Sequence, residues 1–206
     1  MRLFIYVFAL IYSFSFSVTA KEYDLTDPNK ALHTLSSSTF ERLDKEKDNL
    51  DNDPTIIKTI IEEELIPYFD YKYAAYSVVG THLKNTTAEQ RSNFVDAFLT
   101  YLINAYGHIL KEYDQQTLTI LDISDFNDKK IVSIPVRMRD NNGQVTQLAF
   151  KLRKNKKTNE WKVFDIIAEG VSMLDTKRSE FGSLIQNKGI DEVIQLLLEK
   201  NDEFTS

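Results

Sequence analysis

Residues 131–168 read IVSIPVRMRD NNGQVTQLAF KLRKNKKTNE WKVFDIIA, and this stretch decides the fold class. From Ile131 to Arg139, Val132, Ile134, Val136 and Met138 alternate with Ser133, Pro135, Arg137 and Arg139. That period of two is what a strand with one apolar face requires. Asn141-Asn142-Gly143 reads as a hairpin turn, because Asn and Gly tolerate the positive φ such turns need. Val145–Arg153 returns with Leu148, Phe150 and Leu152 on its apolar side. Residues 154–160 form a charged tip, and Trp161–Ala168 is a further strand. With Thr117–Asp122 before them, the spacing predicts a four-stranded antiparallel meander.

On both sides of this sheet the period changes to 3.6. Residues 25–50 are a charged helical run punctuated by Leu32, Leu35, Phe40 and Leu43. Asp53-Pro54 reads as N-cap and first residue of a second helix, striped by Ile57, Ile60, Ile61 and Leu65 and stopped at Pro67. A third helix is expected over about 70–83, with Phe69, Tyr73, Tyr76 and Val79 along one side. Thr87 with Gln90 three residues on is a capping box. It opens a long helix to about Tyr113, whose stripe is Phe94, Phe98, Leu102, Tyr106 and Leu110. Two helices close the chain, about 176–186 and 190–199. Helices, then a meander, then helices is an α+β layout of about six or seven helices. A curved sheet wrapped against helices makes a cone-shaped cavity.

Residues 1–20 read as a cleavable secretory leader: Arg2, an apolar run over 3–18, and small residues at Val18 and Ala20. Lys21 would begin the mature chain, leaving residues 21–206 as one domain. Cleavage removes Arg2 and takes the formal charge from −6 to −7. This acidity argues against a nucleic-acid partner. The chain has no cysteine, so neither disulfides nor a thiol nucleophile is available.

Catalytic and metal-ligating patterns are thin. His33, His82 and His108 lie far apart, and none has a neighbour at metal-ligand spacing, so no metal is expected. Glu62-Glu63-Glu64 reads as a solvated face opposite the isoleucine stripe. Asp165, inside the apolar run VFDIIA, has two readings: an outward-facing or hydrogen-bonded polar residue on a half-exposed strand, or a general base in a pocket. Lys151, Arg153, Lys154, Lys156 and Lys157 form a basic cluster, either a solvated tip or a contact for anionic headgroups and acidic partners.

Several of these stretches together resemble the MlaC (toluene-tolerance) family of periplasmic phospholipid-binding proteins. They are LIPYFDYKYAAYSVVG at 65–80, TAEQRSNFVDAF at 87–98 with Tyr106 and Tyr113 following, WKVFDIIAEGVSML at 161–174 and RSEFGSLIQNKGIDEVIQLL at 178–197. The likeness spans roughly residues 28–201. It implies a fold similar to nuclear-transport-factor-2-like cones, with a curved sheet and helices around a deep apolar pocket. The pocket would hold the acyl chains of a phospholipid cargo, with no other cofactor. On that reading Phe69, Tyr73, Val78, Val79, Phe94, Phe98, Leu102, Tyr106, Ile134, Val136, Leu148, Phe150, Val163, Val171, Met173, Phe181 and Ile185 line it. Lys154, Lys156 and Lys157 would touch headgroup or partner. The family's role is that of a soluble periplasmic carrier, a monomer. It shuttles lipid between an outer-membrane lipoprotein–porin complex and an inner-membrane ABC-transporter complex with an MCE-domain component, maintaining outer-membrane asymmetry. Two alternatives stay open: an enzyme on the same cone using Asp165, and an interaction protein with a filled core.

Overall fold

The computed structural model describes residues 25–50 and 53–205. The expected leader, residues 1–20, and the expected mature terminus Lys21 lie outside them. Helix α1 (Pro28–Glu46) starts where the Asp27 carboxylate accepts from Asn29 N at 2.8 Å and Lys30 N at 3.2 Å, with Pro28 in the first turn. It buries Ala31, Leu32, Leu35 and Leu43. Helix α2 (Pro54–Ile60) is capped by Asp53 as read from the sequence, then widens into a π turn over Ile61–Leu65 and tightens to a 3₁₀ turn at Ile66–Tyr68. Helix α3 (Tyr71–Val79) ends at Gly80, whose φ of +58° suits glycine, so residues expected to prolong it form a 3₁₀ turn instead. Helix α4 (Ala88–Lys111) opens on the complete capping box: Gln90 N donates to Thr87 Oγ1 at 3.1 Å and Thr87 N to Gln90 Oε1 at 2.9 Å.

The sheet has five strands in sequential order, one more than the sequence predicts. They are β1 (Thr117–Ile120), β2 (Ile131–Arg139), β3 (Val145–Lys154), β4 (Trp161–Ala168) and β5 (Val171–Ser172). The fifth is two residues long, too short to carry a period. It folds back through Glu169 and Gly170, both at positive φ (47° and 81°). Glu169 is held there by Gln147, whose N donates to Glu169 Oε1 at 2.6 Å and whose carbonyl accepts from Glu169 N at 2.9 Å. Register sets Ile134 opposite Phe150, Val136 opposite Leu148 and Phe150 opposite Ile166. That row and its neighbours form the inner apolar face, while Ser133, Pro135, Arg137 and Arg139 are exposed outside. A bulge after Lys151 leaves Phe164 unpaired in the ladder and aims it at Tyr73, ring centroids 5.1 Å apart.

Helices α5 (Met173–Lys188) and α6 (Ile190–Thr205) complete the chain, with α4 packed on α6 and α3 on α5. Ser172 Oγ caps α5 by accepting from Asp175 N at 2.9 Å, so the helix starts three residues before its expected origin. Helix α1 lies across the inner face of the sheet. Asn29 clips the β1–β2 loop to it, donating to Ile123 O at 2.8 Å and accepting from Ile123 N at 3.0 Å. Among the described residues no helix is long and apolar enough to cross a membrane.

Candidate functional site

Side chains on the inner sheet face differ in how completely they are covered. At the hairpin end Val132, Ile134, Leu152, Trp161 and Val163 are sealed beneath α1 and Tyr68. Toward the other end Val136 is also buried, whereas Leu118, Ile120, Leu148, Phe150 and Ile166 on the same apolar face keep accessible surface. A domain of this size ordinarily closes over one contiguous core. Here the buried side chains fall into three groups. One lies between the inner sheet face and α1, a second among α3, α4, α5 and α6, and a third where α1, α2 and α4 meet.

The groups touch through a few half-buried side chains. Phe69 packs against the sheet group and the four-helix group, Tyr106 against the four-helix group and the third, and Leu65 against the third and the sheet group. Phe69 and Tyr106 meet edge to face, ring centroids 6.4 Å apart. Burial, reinforced by the nearby Asp165 carboxylate, pushes the Tyr106 hydroxyl up to about 12. Leu65, Phe69 and Tyr106 are thus the half-buried side chains shared between groups.

The residues expected to line a pocket divide accordingly. Phe69, Ile134, Val136, Leu148, Phe150 and Val163 come together on the inner sheet face. Val78, Val79, Phe94, Phe98, Leu102, Phe181 and Ile185 meet each other in the four-helix group, where Phe94 and Phe98 stack at 5.8 Å. Tyr73 stands apart from both, between Phe164 and the Arg153 guanidinium 4.3 Å above its ring. Val171 and Met173 are among the most exposed apolar residues, 54% and 40% accessible, beside the Glu169–Gly170 turn. At the β3–β4 tip Lys156 and Lys157 are exposed and Lys154 lies 5.8 Å from the Trp161 ring. Leu65, Tyr68, Leu118 and Ile166 complete the arrangement and were not among the residues expected there. Ile166 could have been found from its alternation with Phe164 only if the bulge were known. Leu65 was visible as a stripe residue, but not as a bridge between two cores.

Asp165 is buried and fully engaged. Its carboxylate accepts from Ser172 Oγ at 2.8 Å and Leu174 N at 3.0 Å and pairs with Lys151 Nζ at 3.4 Å. These contacts join β3, β4 and the start of α5, which is the hydrogen-bonded reading of that residue. The expectation for Glu64 is corrected: it is buried, not solvated. It follows Ile60 by four residues and Ile57 by seven, so helical geometry carries it onto the isoleucine face. Among the described residues no group of three potential metal ligands is present.

The architecture defines a class: α+β folds in which helices pack on a five-stranded antiparallel sheet. The model of the MlaC protein family matches residues 33–199, and the chain belongs to that family. It is 30% identical over 181 residues to the intermembrane phospholipid transport system binding protein MlaC of Haemophilus influenzae, covering 87% of this chain and 85% of that protein. It is 25% identical over 165 residues to the toluene tolerance protein ttg2D of Pseudomonas putida, covering 80% and 75% respectively. In fold it is similar to the phospholipid-binding protein of Ralstonia solanacearum, solved in complex with a phospholipid. The TM-score is 0.78 at 22% identity, over 87% of this chain and 99% of that one.

Proposed function

We propose that this protein is a periplasmic phospholipid carrier that holds acyl chains beside Leu65, Phe69 and Tyr106. The observation that carries the reading is the accessible apolar surface of Leu118, Leu148, Phe150 and Ile166 on a face otherwise sealed. The relatives named for phospholipid transport and phospholipid binding support it. Two acyl chains bring roughly thirty methylenes, whose burial is worth on the order of 20 kcal/mol at about 0.8 kcal/mol each. Release into water is then negligible, so the lipid is handed over at docked partners: an outer-membrane lipoprotein–porin complex and an inner-membrane ABC-transporter complex. Lys154, Lys156 and Lys157 are placed to meet an acidic partner or a headgroup. Asp165 supports a carrier over an enzyme, because all its contacts are structural.

Protein exported and purified without detergent is predicted to carry phospholipid that mass spectrometry detects after organic extraction. Leu148→Trp and Phe150→Trp extend side chains into accessible space, so both variants should fold and lose that lipid. Both variants retaining lipid would remove the sheet face from the site. Lysolipid accumulating with time, dependent on Asp165, would favour the enzyme.

A further inference from the structure

Where residues 69–72 lead into α3, they face the base of the β3–β4 hairpin across a cleft of about 240 Å³. Its walls carry three cations, Lys72, Arg153 and Lys162, and two carboxylates, Asp70 and Glu160. Asp70 is ion-paired, whereas Glu160 keeps its negative charge, so the formal balance is one positive charge. Asp70 accepts from Arg153 Nη1 at 2.5 Å and from Tyr73 N at 3.2 Å, and Glu160 accepts from Thr158 Oγ1 at 2.8 Å. The cations are committed less. Arg153 gives one N–H to Asp70 while the Tyr73 ring fixes its plane, leaving the rest of its donor fork free for a second oxyanion. Lys72 and Lys162 make no ion pair among the described residues. A positive balance at one cleft is unusual in a chain of formal charge −6. The wall also contains the start of α3, whose field favours an anion.

Phe69 lines this cleft and packs against both the sheet group and the four-helix group. Phe69 thus touches both the cationic cleft and the apolar groups. The cleft has room for a phosphate and a small alcohol but not for acyl chains.

We propose that this cleft is a phosphate-binding site. Lys72, Lys162 and the free edge of Arg153 donate to the phosphate oxygens, and the phosphate is the headgroup phosphodiester of a lipid whose chains lie beyond Phe69. The headgroup assignment rests on the carrier reading above; the phosphate site itself does not. Charge-assisted N–H···O⁻ bonds are the strong kind, so losing two ammonium donors has a measurable effect.

The test uses the full chain with Lys72→Gln/Lys162→Gln. Lys188→Gln/Lys200→Gln on the exposed faces of α5 and α6 is the charge-matched control, and thermal melting checks folding. One arm titrates inorganic phosphate into delipidated protein by ³¹P NMR. The other offers a phospholipid and a diacylglycerol with the same chains and reads the bound ratio by mass spectrometry. The cleft variant is expected to bind phosphate about tenfold more weakly or worse, and its preference for phospholipid over diacylglycerol should fall by a similar factor. Lys72→Arg/Lys162→Arg should keep both. Weakened phosphate binding with an unchanged lipid ratio would keep the site but overturn the headgroup assignment. No difference from the control in either arm would overturn the site. Wild-type protein that retains neither lipid would overturn the carrier reading, while the phosphate titration still decides the cleft.

Discussion

At Asp165 one carboxylate serves a lysine, a hydroxyl and a helix-start N–H, and it is the residue most easily mistaken for a reactive group. Asp165→Ala would strand Leu174 N and Ser172 Oγ at the start of α5. Lys151 is 32% exposed and can reach water, so the loss stays below that for a fully buried pair. The predicted cost is about 2–3 kcal/mol by urea unfolding, with bound lipid per folded molecule unchanged. Loss of lipid without loss of stability would return Asp165 to the site. Tyr106 gives a pH signature. Its folded hydroxyl ionises at about 12, against the ordinary tyrosine value of 10.0, so the unfolded chain releases this proton first. Stability from this group is intact below pH 10 and falls as pH rises toward 12, by roughly 2–3 kcal/mol at most. Tyr106→Phe should flatten the alkaline limb of the stability curve relative to the parent. Identical limbs would mean that the ring is not enclosed.

Elements were legible where a local rule decides them. The Thr87–Gln90 box, the Asp53-Pro54 start and the Asn-Asn-Gly turn each act within a few residues, and each stands as read. What escaped depends on distant partners. The π turn at Ile61–Leu65, closed by Ile66 N on Ile61 O, spends an extra residue so that Leu65 reaches the sheet group while Ile66 stays with the helices. No composition marks it; a run of three glutamates even suggests an undisturbed solvent face. The same stretch meets α4 at Gly107, where an added Cβ would lie 3.6 Å from Ile57 Cγ2 and 3.8 Å from Ile61 Cδ1. That is ordinary contact. Gly107→Ala is therefore predicted to stabilise the protein by about 0.5–1 kcal/mol through helix propensity. Gly107→Leu should overpack the crossing and lose about 1–3 kcal/mol. Denaturant midpoints separate the two; destabilisation by alanine would show that the helices cannot yield at all.

For the whole molecule, the alternating faces foretold which strand residues turn inward, but not that the apolar side chains would divide into three groups. Val136 and Phe150 both point inward from neighbouring strands, yet Val136 is 1% exposed and Phe150 is half-covered. The difference is set by which distant elements pack over each side chain, a tertiary matter that no window of sequence contains. A buried set divided into groups that share Leu65, Phe69 and Tyr106 also has a mechanical consequence. Hydrostatic pressure favours whichever state has the smaller volume, and unfilled internal space is the main volume that unfolding eliminates. Delipidated protein is predicted to unfold at distinctly lower pressure than the lipid-filled form, at equal temperature and pH. Trp161 is the chain's single tryptophan and is fully buried, so its fluorescence reports the transition without a label. Coincident pressure curves would show a close-packed interior. Separated curves would make compressibility a gauge of cargo: the lipid would be part of the packing, and a carrier that has delivered it would be, until reloaded, the softer molecule.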